Sequence, residues 1–399
     1  MDLSIYVHVP FCRVRCAYCD FNTYAGLEGW MPAYVEAVVA ELRIAAAGLA
    51  HPAQAPPVVG TIYFGGGTPS LLPPESVDRV LSIVRANFVV RSDAEITLEA
   101  NPGTVWSEHL ARLRQAGVNR LSLGAQSAQP DELRLLERSH SFDDVAAAVQ
   151  AARHVGFDNV SLDLMYGLPR QVLATWRDTV ERALDLAPDH LSAYALSLEN
   201  GTPMRAWVER GLVSAPDPDA AADMYEWLGW RLQAAGLVQY EISNWARDGA
   251  TATDPWLPSF AGRHNLQYWR NRPYLGIGAG AHGYLGGRRY ANVRSPMAYI
   301  ERLQSWGERA PSSSPAAVEV TPVDAETEMD ETMLLGLRLT REGVRWGSFR
   351  ERFGIDGRER YGERLAPLAA AGLIEADAES IRLSPRGRLL GNTVFQAFV

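Results

Sequence analysis

The sequence predicts an α/β fold, and three observations lead to that prediction. Six apolar, strand-like runs alternate in order with amphipathic helical segments through the first two-thirds of the chain. Polar and glycine-rich residues follow each run, where parallel α/β folds place their chemistry. The composition then changes near residue 307, which indicates a second, smaller domain. We therefore expect a parallel sheet with helices outside it, either an open doubly wound sheet or a barrel-like one, followed by a small C-terminal α+β domain.

The strand-like runs are short, apolar and bounded by turn residues. In chain order they are LSIYVHVP, VVGTIYFGGG, EITLEANP, RLSLGAQS, VSLDLMYG and LSAYALSLE. Segments between them, such as WMPAYVEAVVAELRIAA, have helical periodicity. In the first run Ile5, Val7 and Val9 share one face, which we expect to pack against helices. Tyr6 and His8 then point to the opposite, functional side.

The domain organisation follows from composition. Residues 1–306 are predicted as the core, with an aromatic-rich extension from about residue 201. Residues 307–328 are rich in Ser, Pro and Ala and are predicted as a linker. Residues 329–399 read as three helices and a hairpin around DAES, which is typical of a winged-helix-like domain. This domain mixes acidic with basic residues and offers no basic recognition helix, so we expect no nucleic-acid partner.

Composition and cysteine use predict a cytoplasmic protein. The net charge of −9, from 47 acidic and 38 basic residues, argues against a general nucleic-acid-binding surface. We find neither a secretory signal nor an apolar run of about eighteen residues. All three cysteines lie within YVHVPFCRVRCAYCDF, and three thiols cannot form a paired disulfide framework. A reducing compartment is the simplest setting.

The three cysteines are candidate metal ligands. Thiolates at Cys12, Cys16 and Cys19 can hold one metal centre from a short loop. A zinc site with His8 as fourth ligand, or three unrelated cysteines, stay as alternatives, although closed zinc sites usually use two separated pairs. A [4Fe–4S] cluster on three cysteines leaves one iron open for another ligand.

The spacing Cys-x3-Cys-x2-Cys, with Tyr18 directly before the third cysteine, resembles the radical S-adenosylmethionine (SAM) superfamily. The resemblance implies that Cys12, Cys16 and Cys19 hold a [4Fe–4S] cluster whose open iron binds SAM. In that family an electron from the cluster cleaves SAM and gives a 5′-deoxyadenosyl radical. The resemblance also implies that the α/β core is a partial (β/α)6 TIM-like barrel with an extended sheet.

The glycine-rich run TIYFGGGTPS supports the same resemblance. Gly65, Gly66, Gly67 and Thr68 follow a strand, and glycines there let the backbone approach the methionyl end of SAM. Taken alone, such a turn is also compatible with phosphate binding, but it lacks the lysine of a Walker loop and a G-x-G-x-x-G frame.

Strand-end residues extend the resemblance to the HemN/HemW family of coproporphyrinogen III oxidase-like proteins. The resemblance implies a SAM site made of Tyr6, Tyr18, Gly66, Gly67, Thr68, Glu99, Gln126, Arg138 and Asp163. The carboxylates would contact the ribose hydroxyls, Gln126 would add a polar contact, and Arg138 would bind the methionyl carboxylate. Without the resemblance, a lone acidic residue at a strand end is more often a helix cap or an ion-pair partner. His8 is a candidate catalytic residue, as a proton relay or substrate contact, and a structural histidine is an equal alternative.

Two features favour the haem-chaperone branch of this family. The oxidases carry a further cysteine two residues after the third, where this chain has Asp20-Phe21. The run RHNLQYWR matches the H-N-x-x-Y-W signature of the chaperone branch through His264, Asn265, Tyr268 and Trp269. His264 or Tyr268 could be an axial ligand of haem iron, and Trp269 offers an apolar face to a porphyrin. The alternative is a packing motif. His282, in YLGIGAGAHGY, lies in a segment that resembles a family loop near the SAM and substrate pocket.

The resemblance implies a haem chaperone that binds a [4Fe–4S] cluster, SAM and haem and delivers haem to a haem-requiring acceptor, of which a membrane-associated protein is one option. An electron donor and a homodimer are further expected partners, and turnover of SAM stays open. The alternative is an active radical SAM enzyme, either a coproporphyrinogen III dehydrogenase that decarboxylates propionates or a HemN-like methyltransferase.

Overall fold

The computed structural model describes residues 2–49, 56–249, 254–306 and 314–399. The chain divides into two compact units. Unit 1 comprises Met1–Pro188, Ala193–Met224 and Pro273–Pro322, and unit 2 comprises Asp189–Ser192, Tyr225–Arg272 and Val323–Val399.

The secondary structure of the described residues is as follows. The strands are β1 (Asp2–Val9), β2 (Phe11–Cys12), β3 (Tyr24–Ala25), β4 (Val58–Gly66), β5 (Val89–Ala100), β6 (Arg120–Gln126), β7 (Val160–Tyr166), β8 (His190–Ala195), β9 (Leu237–Glu241), β10 (Asn244–Arg247), β11 (Tyr274–Ile277), β12 (His282–Leu285), β13 (Arg288–Asn292), β14 (Ala317–Pro322), β15 (Val344–Arg345), β16 (Ile374–Ala376) and β17 (Ser380–Leu383). The α-helices are α1 (Met31–Leu49), α2 (Pro74–Asn87), α3 (Ser107–Ala116), α4 (Pro130–Leu135), α5 (Phe142–His154), α6 (Leu173–Asp185), α7 (Pro203–Glu209), α8 (Pro218–Ala234), α9 (Arg263–Trp269), α10 (Pro296–Ser305), α11 (Ala325–Gly336), α12 (Trp346–Phe353), α13 (Gly357–Ala370), α14 (Pro385–Leu389) and α15 (Gly391–Phe395).

The sheet of unit 1 runs in the order β14-β13-β12-β11-β1-β4-β5-β6-β7-β8. The strands β1, β4, β5, β6 and β7 pair in parallel in chain order, as the strand–helix alternation predicts. β11 pairs in parallel with the other edge of β1, and antiparallel β12, β13 and β14 extend the sheet from there. The predicted α/β class with an extended, largely parallel sheet is confirmed.

Strand β1 lies inside this sheet and is covered on both faces. Ile5, Val7 and Val9 are almost completely buried, which agrees with their predicted packing face. On the other face His8 is also buried, and the hydroxyl of Tyr6 lies 3.0 Å from its Nδ1 atom. Burial of both faces is the usual state of a strand in a parallel sheet.

Unit 2 joins an internal part of the chain to its C-terminal part. β10 pairs antiparallel with β9 and with residues 190–192 of β8. A second sheet has the order β15-β17-β16, and its β16–β17 hairpin is the one predicted around DAES. Trp346, Phe349 and Tyr361 pack in the apolar core of the C-terminal segment. None of the helices in the described residues is long and apolar enough to cross a membrane.

Two stretches differ from the predicted domain organisation. Residues 225–272, within the predicted core range, cluster with the C-terminal segment in unit 2. The predicted linker 307–328 contains strand β14, which pairs with β13, and the start of α11. Its residues 307–313 lie outside the described residues. A short edge strand such as β14, with mostly exposed side chains, has little apolar content, so composition alone suggests a linker.

Candidate functional site

The cysteine loop begins at the end of β2 and is fixed by backbone contacts. The amide of Tyr24 donates to the Pro10 carbonyl over 2.7 Å, which closes the loop at its base. The amide of Met204 donates to the Ala17 carbonyl over 2.9 Å. Ala17 is completely buried in a small apolar cluster with Met165 and other residues. The loop is therefore held at its base by the Tyr24–Pro10 hydrogen bond. It is also held at Ala17, which lies between the second and the third cysteine.

The glycine-rich turn after β4 lies directly against the first cysteine. The amides of Gly67 and Thr68 donate to the carbonyls of Val9 and Phe11, each over 2.8 Å. The Thr68 hydroxyl lies 3.5 Å from Cys12 Sγ. A Cβ atom on Gly67 would lie 2.6 Å from the Phe11 carbonyl oxygen and 3.0 Å from Cys12 Sγ. The turn needs glycine here because backbone and thiol leave no room for a side chain.

The three thiols differ in environment. Cys12 is buried, whereas Cys16 and Cys19 are partly exposed. Burial raises the pKa of the Cys12 and Cys19 thiols above their usual range. The Arg138 Nη1 atom lies 3.5 Å from Cys16 Sγ, and the Arg138 Nε atom is buried without a hydrogen-bond partner. These features give the loop soft ligands and an adjacent cation.

The donor set fits a cluster. Within the described ranges no group of three His, Cys, Asp or Glu side chains is arranged to hold a metal ion. A [4Fe–4S] cluster places each thiolate on a different iron, so its ligands need not converge on one point. Three thiols on one loop, a glycine turn packed closely against Cys12 and a partly buried arginine beside Cys16 suit such a group.

His8 connects β1 to the residue after the cysteine motif. Its Nε2 atom lies 2.9 Å from the Asn22 carbonyl oxygen, which can only accept, so Nε2 carries the proton. Its Nδ1 atom then accepts from the Tyr6 hydroxyl. Burial lowers the pKa of His8, so the ring is neutral. Both ring nitrogens are engaged, and this arrangement suits a structural histidine. Its predicted catalytic role stays a prediction.

Gly66 accommodates the His8 ring. Its φ angle of 115° lies in the left-handed region, and a Cβ atom there would lie 2.5 Å from the imidazole. Gly65 packs in the same way against the rings of Tyr6 and Tyr63. The predicted glycine motif thus packs against aromatic side chains as well as against the first cysteine.

Glu99 is anchored at the end of β5. Its Oε1 atom accepts from the Tyr63 hydroxyl over 2.7 Å, and its Oε2 atom accepts from the Gly66 amide over 3.1 Å. Burial raises the pKa of Glu99 to about 7, against the lowering effect of the Tyr63 hydrogen bond. Tyr63 was not predicted as a site residue, although the strand alternation that places Gly65 on this face also places Tyr63 there.

Three further predicted residues lie at the end of β6, after α4 and in the middle of β7, namely Gln126, Arg138 and Asp163. Asp163 accepts from the Ser122 hydroxyl at 3.0 and 3.1 Å. Gln126 has a φ of 65°, an unusual backbone conformation for a non-glycine residue. Arg138 donates to the Gly124 carbonyl over 3.0 Å. A Cβ atom on Gly124 would touch both the Gln126 and the Arg138 side chains.

Tyr18 also belongs to this group. Burial raises its pKa, and the nearby Arg138 guanidinium opposes that shift. Cys16 and Asp163 lie close enough to influence it electrostatically. The structure thus groups the predicted SAM residues around the cysteine loop, at the carboxyl ends of neighbouring strands in unit 1.

The motif RHNLQYWR forms α9 in unit 2. His264 is only 1% exposed, and its Nε2 atom lies 2.9 Å from the Tyr268 hydroxyl. Trp269 packs against an apolar cluster that includes Tyr240 and Leu266. The Arg338 guanidinium lies 4.4 Å from the centre of the Trp269 ring. These contacts suit the packing alternative, and haem contact by His264, Tyr268 and Trp269 stays a prediction.

His282 lies at the start of β12, near His8. It is exposed, and its charge contributes to the lowered pKa of His8. The preceding turn contacts Asn22 through Ala279, so the segment YLGIGAGAHGY lies at the cysteine loop. Asn22 was not predicted as a site residue, because a single asparagine after the cysteine motif carries no recognisable pattern.

Comparison with known proteins gives matches along the whole chain. Residues 6–183 match the model of the radical SAM superfamily, and residues 323–390 match the HemN C-terminal domain. A heme chaperone HemW from Mycobacterium tuberculosis is 42% identical over 99% of this chain and 94% of its own length. The chain belongs to the HemW family of radical SAM proteins.

Two further relatives and one solved structure are also similar to this chain. A heme chaperone HemW from Bacillus subtilis is 38% identical over 99% of both chains. A mouse protein, radical S-adenosyl methionine domain-containing protein 1, mitochondrial, is 36% identical over 96% of this chain and 84% of its own. The coproporphyrinogen III oxidase HemN from Escherichia coli matches with a TM-score of 0.81 and 24% identity, over 99% of this chain and 89% of that one. The HemN likeness concerns the fold alone.

Proposed function

We propose that this chain is a haem chaperone, which binds a [4Fe–4S] cluster, SAM and haem and delivers haem to a haem-requiring acceptor. The observation that carries the proposal is the 42% identity with a heme chaperone HemW over 94% of that protein's length. The grouping of three thiols, a glycine turn and strand-end polar residues in unit 1 supports the cofactor part. We place the protein in the cytoplasm, where reduced thiols persist.

In this proposal Cys12, Cys16 and Cys19 hold the cluster. When bound, the cluster supplies an open iron for SAM and an electron for its cleavage. The chain's own contribution is positional. Thr68 and the Gly67 backbone lie against Cys12, and Arg138 places a positive charge beside Cys16.

SAM would occupy the strand ends next to the cysteine loop. Glu99 and Asp163 are the candidate acceptors for ribose hydroxyls, and both carboxylates already accept hydrogen bonds that fix their positions. Gln126 and Arg138 meet over Gly124, where Arg138 could bind the methionyl carboxylate. Tyr6, Tyr18, Gly66 and the Gly67-Thr68 turn complete the proposed site.

Haem would contact α9 in unit 2. His264 Nε2 must leave the Tyr268 hydroxyl before it can ligate iron, since that nitrogen is engaged in the structure. Handover then needs an acceptor protein, and reduction of the cluster needs an electron donor. We propose both as partners, together with a second copy of this chain.

The test compares binding with turnover. The reconstituted, reduced protein is incubated anaerobically with SAM and coproporphyrinogen III, and the products are separated for protoporphyrinogen and 5′-deoxyadenosine. A parallel sample is titrated with haem. We expect haem binding in a fixed stoichiometry and no protoporphyrinogen. Decarboxylated product would instead make the protein an oxidase, and failure to bind haem would contradict the chaperone function.

A further inference from the structure

A completely buried carboxylate lies on α1, outside the proposed cofactor contacts. Glu41 Oε2 accepts from the Gly278 amide over 2.8 Å and from the Tyr299 hydroxyl over 2.6 Å. Its Oε1 atom accepts from the Asn292 side-chain amide over 2.8 Å and from the Ser314 hydroxyl. Four donors use all the acceptor positions of an ionised carboxylate. Burying such a group is costly unless it is fully hydrogen-bonded, as it is here.

These bonds hold the turn that joins β11 to β12. Gly278 has a φ of 104°, and a Cβ atom there would lie 2.7 Å from the His8 carbonyl oxygen. The next amide, of Ala279, donates over 2.8 Å to the Tyr34 hydroxyl. That hydroxyl donates over 2.8 Å to the His8 carbonyl. Glu41 and Tyr34, both on α1, therefore fix the turn against β1.

The Gly278-Ala279 turn also holds the C-terminal end of the cysteine loop. The side-chain amide of Asn22 donates to the Ala279 carbonyl over 3.1 Å and to the Arg294 carbonyl over 2.9 Å. The backbone carbonyl of Asn22 accepts from His8. Asn22 lies three residues after Cys19. A continuous set of hydrogen bonds thus runs from Glu41 through the Gly278-Ala279 turn to Asn22.

We propose that Glu41 is a positioning residue. It fixes the Gly278-Ala279 turn against Asn22 and so sets the position of residues 19–22, the part of the cysteine loop that carries Cys19 (the Cys19 arm). The inference rests on the proposed function only in one respect, namely that Cys19 is a ligand of the [4Fe–4S] cluster. Its structural part, the dependence of the loop on Glu41, holds in the protein without cofactors. A carboxylate that only stabilised the core would affect the whole of unit 1 alike.

The test measures amide hydrogen exchange in the full chain without cofactors. Glu41→Ala removes all four acceptor contacts. We expect it to speed exchange of Tyr24, whose amide closes the loop, and of Gly280 by about tenfold or more, because the turn loses the acceptor that holds it in place. The amide of Leu121 donates to the Asn159 carbonyl elsewhere in unit 1, and its exchange rate should stay unchanged. Glu41→Gln should recover part of the protection, because its carbonyl can still accept from Gly278.

Two further variants keep the test decisive. Tyr34→Phe removes one hydroxyl between Ala279 and His8 and should loosen the same amides if Glu41→Ala does not fold. Glu241→Ala removes an equally buried carboxylate in unit 2, hydrogen-bonded by Ser243 and Asn244, and should leave Tyr24 and Gly280 protected. Equal acceleration at Leu121, or unchanged exchange at Tyr24 and Gly280 in both α1 variants, would overturn the proposal.

A second experiment, with the cofactor reconstituted, separates this inference from the proposed function. After anaerobic reconstitution, Glu41→Ala should alter the electron paramagnetic resonance spectrum of the reduced cluster and weaken SAM binding about tenfold, and Glu241→Ala should change neither. Wild-type protein that takes up no cluster would overturn the proposed function and leave the exchange result to decide the positioning role. A normal spectrum and normal SAM affinity in Glu41→Ala would show that the arm does not need Glu41.

Discussion

The Tyr63 hydroxyl, on β4, donates a 2.7 Å hydrogen bond to Oε1 of Glu99 at the end of β5. The Gly66 amide donates to the other oxygen of the same carboxylate. Glu99 is thus held by neutral donors from the neighbouring strand, and burial raises its pKa to about 7. Its charge therefore changes near physiological pH, in a position proposed for a ribose contact.

Replacing Glu99 should change how stability depends on pH. Its pKa is about 7 in the folded protein and about 4.3 in an unfolded chain, so the folded state holds the proton more tightly. The wild type therefore loses stability as pH rises through this interval. Glu99→Gln cannot titrate, so its stability relative to wild type should rise by roughly 2–3 kcal/mol from pH 4.5 to pH 8.

Urea unfolding of the full chain at pH 4.5 and at pH 8 measures the stability of Glu99→Gln relative to the wild type. Glu36→Gln, in an exposed ion pair with Arg79, is the control. A Glu99→Gln difference that does not vary with pH would contradict the prediction.

Gly66→Ala should destabilise unit 1. The backbone at this position is left-handed, and the new methyl group would meet the His8 ring. We expect a loss of about 1–3 kcal/mol in the free energy of unfolding. Gly60→Ala is a matched control on the same strand, where a Cβ atom would meet only Arg91 at 3.8 Å. Equal effects of the two substitutions would show that the close approach of His8 is not limiting.

Cys16→Ala should prevent cluster assembly. Loss of one thiolate leaves two ligands on the loop, and the charge-transfer absorption at about 400 nm should disappear from anaerobically reconstituted protein. Arg13→Ala, an exposed change on the same loop, should retain it. Full iron content in Cys16→Ala would overturn the assignment of the cysteines.

The His264–Tyr268 hydrogen bond provides a test of haem ligation. His264→Ala should shift the Soret band and weaken haem binding if the imidazole is the axial ligand. Tyr268→Phe releases His264 Nε2 from its present partner, so haem affinity should be equal or higher with an unchanged Soret band. An unchanged titration of His264→Ala would place the ligand elsewhere and leave α9 as a packing motif.

Local patterns were sufficient for the central sheet and the cysteine loop. The first strand alternates so that Tyr6 and His8 share a face, and the structure joins them by a hydrogen bond. The position of Glu99 near the end of β5 also follows from the alternation of strands and helices, because parallel strands end at one edge of the sheet. Asp163, predicted at a strand end, lies instead in the middle of β7.

Long-range contacts could not be predicted in the same way. Glu41 lies in an ordinary helical sequence, and its four partners are more than 230 residues away. Strand β14 has almost no apolar pattern, since it lies at the edge of the sheet and its side chains are mostly exposed. In both cases the structure depends on contacts between residues that are distant in the sequence, and the neighbouring residues do not reveal them.

The pairing of β1 with β11 has a consequence for the synthesis of the protein. Ser4 pairs with Tyr274, which lies 270 positions later in the chain. At about 5–20 residues per second, a ribosome needs on the order of tens of seconds to produce the second strand after the first. During this time one edge of β1 has no partner, and Asn22 has neither Ala279 nor Arg294 to bind. The nascent chain therefore carries its three thiols on an unfinished loop, and metal loading at the mature geometry must follow the synthesis of residue 294.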